Sequence, residues 1–346
     1  MKLNRQTNSE AVDQHPRWTR FKYTLGNSRG LIALLAVFLL GVIFTPKNAQ
    51  GYPIFLTMRL QIDVLFEYAE YGILATGMTL VILCGGIDLS VGSVLGFAAT
   101  LFSLLVIADG WNPLAAFGVT ILAGAAVGYV NGWLTSRFRI QPFIATLAMM
   151  VAVRGAAKWI SGGIKIQPGA KEWYAMQSGT PDFYNWMTTK LPYIGLQPAT
   201  IFFLVCIMVM IVIVGKTKFG RYLYATGGNE EATRLSGVNV NQIKIMAYVI
   251  CGALAALGGI SNAARLEIGD PEAGATYELD AIAAVVIGGT SLLGGRGGMF
   301  LTLIGVLIIG YINKILSINN VDESFRLLAK GVIIIAAVLI QQRKRD

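Results

Sequence analysis

Few residues in this chain are placed to do chemistry. Asp88 lies in GGIDLSVGS, residues Gly85 to Ser93, where three glycines, a carboxylate and two serines interrupt an apolar run. A carboxylate in that setting has two readings. It caps the free N–H groups at the start of the next helix and meets the positive end of its dipole, or it contacts a polar ligand, as ionisable groups within membranes tend to do. Ser90 can serve in either role. Asp63, Glu67 and Glu70, spaced four and three apart, fall on one face of a helix. They line an entrance for a polar solute, dock a partner, or form a solvated helix end. Arg154 and Lys158, at i and i+4, either snorkel toward water or pair with such acids.

Enzyme chemistry has little to work with. His15 is the only histidine and stands in a polar N-terminal stretch without a ligand cluster, so neither a metal centre nor a histidine base is expected. Cys84, Cys206 and Cys251 lie in apolar runs without paired spacing and read as small core residues. The G-x-x-x-x-G-K-[ST] phosphate loop is absent, so any ATP hydrolysis belongs to another subunit. A membrane-embedded hydrolase lacks both a histidine base and an H-E-x-x-H motif. No cofactor is expected.

The elements that must position these residues are apolar. Of 346 residues, 55% are hydrophobic and 14% charged, with mean hydropathy +0.61, so the natural solvent is a bilayer. Backbone groups in hydrocarbon must bond within their own segment, so each long apolar run reads as a helix of roughly 17 to 25 residues. The expected class is an all-α polytopic membrane protein of about ten transmembrane helices with Gly-rich breaks. The runs fall near 30–46, 62–84, 89–108, 113–135, 142–161, 197–215, 245–263, 279–295, 299–317 and 325–341. Residues 1–29 form an N-terminal tail, 30–341 the transmembrane domain and 342–346 a C-terminal tail.

The net charge of +9 reads as membrane orientation rather than nucleic-acid binding. Lys2, Arg5, Arg17, Arg20, Lys22 and Arg29 precede the first run, and Arg343, Lys344 and Arg345 follow the last. Both ends therefore belong in the cytoplasm, as do Arg137, Arg139 and the loop 216–244. The acidic loop with Glu267, Asp270 and Glu272 falls outside. So does 162–196, whose Trp173, Tyr174, Tyr184, Trp186 and Tyr193 suit a membrane–water boundary. No cleavable signal peptide is expected.

Two further patterns bear on function. Gly85, Gly86, Leu89 and Gly92 recur 203 residues later as Gly288, Gly289, Leu292 and Gly295, which reads as a duplicated half or as coincidence in glycine-rich sequence. The acid is not duplicated, because Thr290 and Ser291 stand where the first copy has Ile87 and Asp88. Between Lys216 and Lys244, Asn229 is placed to cap a short helix through Glu230, Glu231, Ala232, Thr233, Arg234 and Leu235, with Gly237 as its stop. Such a helix sits in a groove of another protein or lies on the membrane surface.

Four long stretches resemble one family. GMTLVILCGGIDLSVGSVLGF (77–97), IQPFIATLAMMVAVRG (140–155), GRYLYATGGNEEATRLSGVNVNQIKI (220–245) and YELDAIAAVVIGGTSLLGG (277–295) are similar, in that order, to the permeases of ribose-type ABC sugar importers. The resemblance covers most of the chain from about residue 30. It implies a bacterial inner-membrane assembly of two permeases, identical or paired with a sister subunit. ATPase subunits would drive it and an extracytoplasmic sugar-binding protein would feed it. Carried onto matching positions, Gly228 to Val238, including Ser236, form the helix that couples to the ATPase. The pathway then needs only to be polar, with Asp88, Ser90, Asn131, Thr290 and Ser291 as lining residues. The implied solute is a monosaccharide, ribose-like first. The rival reading is an ATP-independent secondary transporter or channel, which shares broken helices and duplicated halves.

Overall fold

A computed structural model describes residues 17–169 and 181–342. Lys2, Arg5, His15, Trp173, Tyr174 and Arg343 to Arg345 lie outside the described residues. Those described are helical apart from loops and two isolated bridges, Lys47 with Pro53 and Ile166 with Gly269. In chain order the helices are α1 Arg17–Phe44, α2 Met58–Glu67, α3 Ala69–Leu83, α4 Val91–Ser103, α5 Pro113–Arg137, α6 Pro142–Ser161 and α7 Asp182–Thr188. There follow α8 Pro198–Lys216, α9 Lys218–Gly228, α10 Glu230–Leu235, α11 Val240–Leu266, α12 Tyr277–Gly288, α13 Met299–Ile318 and α14 Glu323–Gln342. Proline opens α5, α6 and α8, where its missing N–H removes no helical bond.

Among the described residues, six helices are long and apolar enough to cross a membrane: 91–108, α5, α6, α8, α11 and α13. The expectation of about ten reaches further than length and composition support. Residues 30–44 and α3 are apolar but shorter, and α12 has only 12 residues. α3 is buried along its length apart from Tyr71, so it is hydrophobic all round because protein encloses it.

The core forms around α11, which packs on α5, α3 and α4. In lipid no hydrophobic drive holds two helices together, so close backbone approach must do so, and small residues permit it. Gly124, Gly128 and Gly132 recur every fourth residue on α5. A methyl on Gly124 would lie 2.5 Å from the Gly252 carbonyl oxygen, and one on Gly128 would collide with that of Tyr248. α12 and α13 use the same device, Gly288 facing the Leu301 carbonyl and Gly305 that of Ala284. Thr79 and Thr302 join α3 to α13 through a buried hydroxyl pair at 2.6 Å.

Several expectations change. The second run breaks at Tyr68, between α2 and α3, so the three acids do not share one face. Each finds a cation of its own: Asp63 lies 3.7 Å from Lys190, Glu67 2.6 Å from Lys314, and buried Glu70 2.6 Å from Arg265. Arg154 and Lys158 leave those acids alone. Arg154 donates to the carbonyls of Pro271 and Ala273, and Lys158 pairs with Glu272. The eighth run stops as helix at Gly288, and 289–298 form a loop. Tyr184 is no boundary aromatic either: it is fully buried, with its hydroxyl 2.7 Å from Ser103 Oγ. Cys84 and Cys251 are buried as expected, while Cys206 is partly exposed.

The α5–α11 contact makes a direct prediction. Gly128→Ala should lower stability by about 1–3 kcal/mol, the usual cost of overpacking. Gly118→Ala, on the same helix with open space around it, should not. Thermal unfolding of the purified protein in detergent measures both.

Candidate functional site

The loop between α8 and α11 is ordered by side-chain caps. Thr217 accepts from the Gly220 N–H at 3.4 Å and opens α9. Asn229 is extended, and its Oδ1 accepts from the Ala232 N–H at 2.9 Å, the cap that the sequence calls for. Gly237, at φ +83°, turns the chain out of α10 in the left-handed region that glycine tolerates best. Asn239 then caps α11 by accepting from the Gln242 N–H at 3.2 Å.

The charges on α10 split by direction. Glu230 takes Arg234 at 2.9 Å and Lys244 of α11 at 2.5 Å, which ties the helix to the bundle. Glu231, Ala232 and Leu235 face outward, Leu235 with 81% of its surface exposed. The outward face of this capped, anchored helix of six residues is therefore formed by Glu231, Ala232 and Leu235.

Directly before α10 the chain is glued to both Gly-rich breaks. A methyl on Gly227 would collide with the Leu83 carbonyl at the end of α3 and lie 2.6 Å from the Gly295 N. One on Gly294 would sit 2.9 Å from the Gly85 N, and one on Gly295 2.8 Å from the Gly228 N. The Gly295 N–H donates to the Leu83 carbonyl at 3.0 Å, and Tyr224 of α9 donates to the Gly297 carbonyl at 2.9 Å. Gly85, Gly86, Gly288 and Gly289 thus belong to two breaks that meet under one surface helix. Gly227, Gly294 and Tyr224 carry the meeting, and sequence reasoning did not single them out. Paired glycines at 227–228 and 294–295 were the available signal.

Three residues proposed from sequence converge beside this junction. Asp88 Oδ1 accepts from the Ser90 N–H at 2.9 Å and from Ser90 Oγ at 2.6 Å. Asn131 of α5 donates to Ser90 Oγ at 2.8 Å and, more weakly, to both Asp88 oxygens at 3.4 and 3.5 Å. All three are at most 1% exposed. Asp88 does not cap α4: the cap position is Ser90, without a side-chain cap bond. The carboxylate instead closes an Asx turn on the residue two positions on, one step before the helix begins. Thr146 of α6 and Tyr248 of α11 donate to the Ile87 carbonyl at 3.3 and 3.4 Å and hold the same break from two other helices.

Thr290 and Ser291 organise the second break. Thr290 Oγ1 accepts from the Gly298 N–H at 3.2 Å, and the Ser291 N–H donates to the Arg296 carbonyl at 2.9 Å. These bonds fold their own loop and do not reach Asp88. At the far end of α3 a second network forms around Glu70, which also accepts from Asn262 at 2.9 Å and Tyr277 at 3.3 Å. Among the described residues, no group of three or more His, Cys, Asp or Glu side chains converges as a metal site would.

The two interior breaks of this bundle of apolar helices thus share a root with one exposed helix. Residues 61–338 match the family described as branched-chain amino acid transport system, permease component, and the chain belongs to that family. It is therefore the multi-pass membrane component of a transport system. It is 41% identical over 324 residues to the ribose import permease protein RbsC of Escherichia coli K12, covering 94% of this chain and 96% of the relative. The protein of that name from Bacillus subtilis is 40% identical over 310 residues, covering 90% and 92%. The L-arabinose ABC transporter permease protein AraH of Azospirillum brasilense is 34% identical over 302 residues, covering 87% and 82%. No solved structure matches significantly.

The junction predicts that Gly227→Ala unseats α10 by pressing a methyl onto the Leu83 carbonyl. Amide hydrogen exchange across 229–237 should quicken about tenfold, in line with an overpacking cost of about 1–3 kcal/mol. Gly215→Ala, with nothing within 4 Å, should leave it unchanged.

Proposed function

We propose that this chain is the permease subunit of an ATP-binding-cassette importer of a monosaccharide, ribose-like first, and that α10 is where ATPase motion enters it. The relatives named for ribose and arabinose match along most of their length, which favours a sugar over the amino acid in the family's description. The observation that carries the coupling role is the seating of Gly227 and Gly228 on Leu83, Gly294 and Gly295. A push on α10 reaches both breaks through backbone contacts, with no flexible side chain to absorb it. Nucleotide state then biases the ends of α3, α12 and α13, and access alternates.

The assembly follows from that reading. Two permeases stand in the inner membrane, either copies of this chain or this chain with a sister subunit, surrounded by lipid. The ATPase lies on the α10 side, and an extracytoplasmic sugar-binding protein delivers solute at the other. Lys and Arg bias supports cytoplasmic termini and an even number of spans, ten when residues 30–44, α3, α12 and α14 are counted with the six longer helices. Helix, Gly-rich break, helix occurs as α3 to α4 and as α12 to α13, which supports a duplicated half. The breaks differ in length, residues 84–90 against 289–298, so a fixed offset of 203 does not persist. Asp88, Ser90 and Asn131 border the pathway from within the wall and set its shape near the junction. Thr290 and Ser291 do the same from the second break.

Reconstitution with and without the ATPase separates this from the channel or secondary-transporter reading: uptake should vanish without the ATPase, and uptake that persists refutes the importer. Within the complex, Glu231→Ala with Leu235→Ala should cut ATP-driven sugar uptake tenfold or more, about the loss of one interface hot spot. The melting temperature of the permease should stay the same, because both side chains are exposed. Unchanged sugar-stimulated ATP hydrolysis in that variant would remove α10 from the coupling route.

A further inference from the structure

The end of the bundle opposite α10 holds a cavity of about 220 Å³. Its place follows from chain direction. α3 and α12 run toward the glycine junction and α13 runs away from it, so Tyr68, Asp280 and Asn313 sit at their far ends. α14 closes the remaining side with Arg326 and Lys330.

The lining is charged but balanced. Glu67, Asp280 and Glu323 face Lys314, Arg326 and Lys330, so the formal charge cancels. Glu67 holds Lys314 at 2.6 Å and Asp280 holds Lys330 at 2.8 Å. Arg326 is different: its Nε is buried without a hydrogen-bond partner. That atom is closed off from the cavity, so the remainder of the Arg326 side chain is what lines it. Phenols, an amide and a hydroxyl make up most of the rest, and Leu327 is the lone aliphatic side chain of the lining. Tyr71 packs at a tilt against Tyr277, with ring centroids 4.2 Å apart, and Tyr277 donates to Glu70 at 3.3 Å. The cavity wall is therefore continuous with the buried Glu70–Arg265 pair that joins α3 to α11.

We infer that this cavity binds one neutral polyhydroxylated solute, a monosaccharide entering the permease at the end opposite its ATPase-facing helix. The inference rests on the importer reading above. Sugar hydroxyls donate to the paired carboxylates and accept from the Arg326 guanidinium and the lysines at once, which suits a wall carrying both signs. Balanced charge gives no net attraction to a simple anion or cation.

The test uses the permease in lipid nanodiscs carrying Cys206→Ser and Ser317→Cys, since Ser317 lines the cavity and is exposed while Cys84 and Cys251 are buried. Labelling by a water-soluble thiosulfonate is followed against D-ribose or L-leucine. D-ribose should slow it several-fold and L-leucine should not. Arg326→Gln in the same background should raise the ribose concentration for half-protection about tenfold, as loss of a charge-assisted bond does. Absence of ribose protection, or equal protection by leucine, overturns the site. Asn313→Cys supplies a second reporter if Ser317→Cys does not fold. ATP-driven ribose uptake by the unlabelled variant keeps the two readings apart. Uptake without protection refutes the cavity alone, and protection without uptake refutes the importer alone.

Discussion

Backbone touching backbone is the constraint on which this molecule depends. Around Gly227, Gly294 and Gly295 three chain segments approach until there is no room for a methyl group, and the Gly295 N–H closes onto the carbonyl that ends α3. A helix that breaks in an apolar setting frees N–H and C=O groups that lipid cannot satisfy, so the freed groups must find one another. The two breaks do so here, with the approach to α10 wedged between them. Contacts of that kind are short and stiff. They join the residues just before one surface helix of six residues to the end of α3 and to the loop between α12 and α13.

Away from the junction, order rests on ionic and aromatic contacts. Glu70, 2% exposed, is held by Arg265, Asn262 and Tyr277, each from a helix other than its own. Breaking a buried pair by removing one partner typically costs about 3–5 kcal/mol, so such a pair fixes which helices adjoin more than it adds net stability. α3 is thus pinned at one end by glycine and at the other by charge.

Much of this was legible in the chain. The all-helical membrane class follows from apolar runs, because hydrocarbon leaves the backbone few alternatives. Asn229, Glu230 and Gly237 spelled a capped helix because caps are local and act within three or four residues. The Asp88 turn was half legible: its composition marked a helix start, but whether the carboxylate reaches the helix or stops at Ser90 depends on backbone angles that spacing does not specify. The three acids on one presumed face misled, because a break at Tyr68 carries no glycine or proline to announce it.

Local chemistry and hydropathy by themselves determined that the chain crosses a membrane, where its two Gly-rich breaks fall and that a short capped helix follows Asn229. Tertiary structure decided which glycines face which, that Glu230 turns inward while Glu231 and Leu235 turn out, and that acids and bases from four helices gather around one cavity. The reason is physical. A cap or an apolar run is written in neighbouring residues, whereas the meeting of Leu83 with Gly227 and Gly295 spans more than two hundred positions. Forty glycines look alike until the fold brings a chosen few into contact.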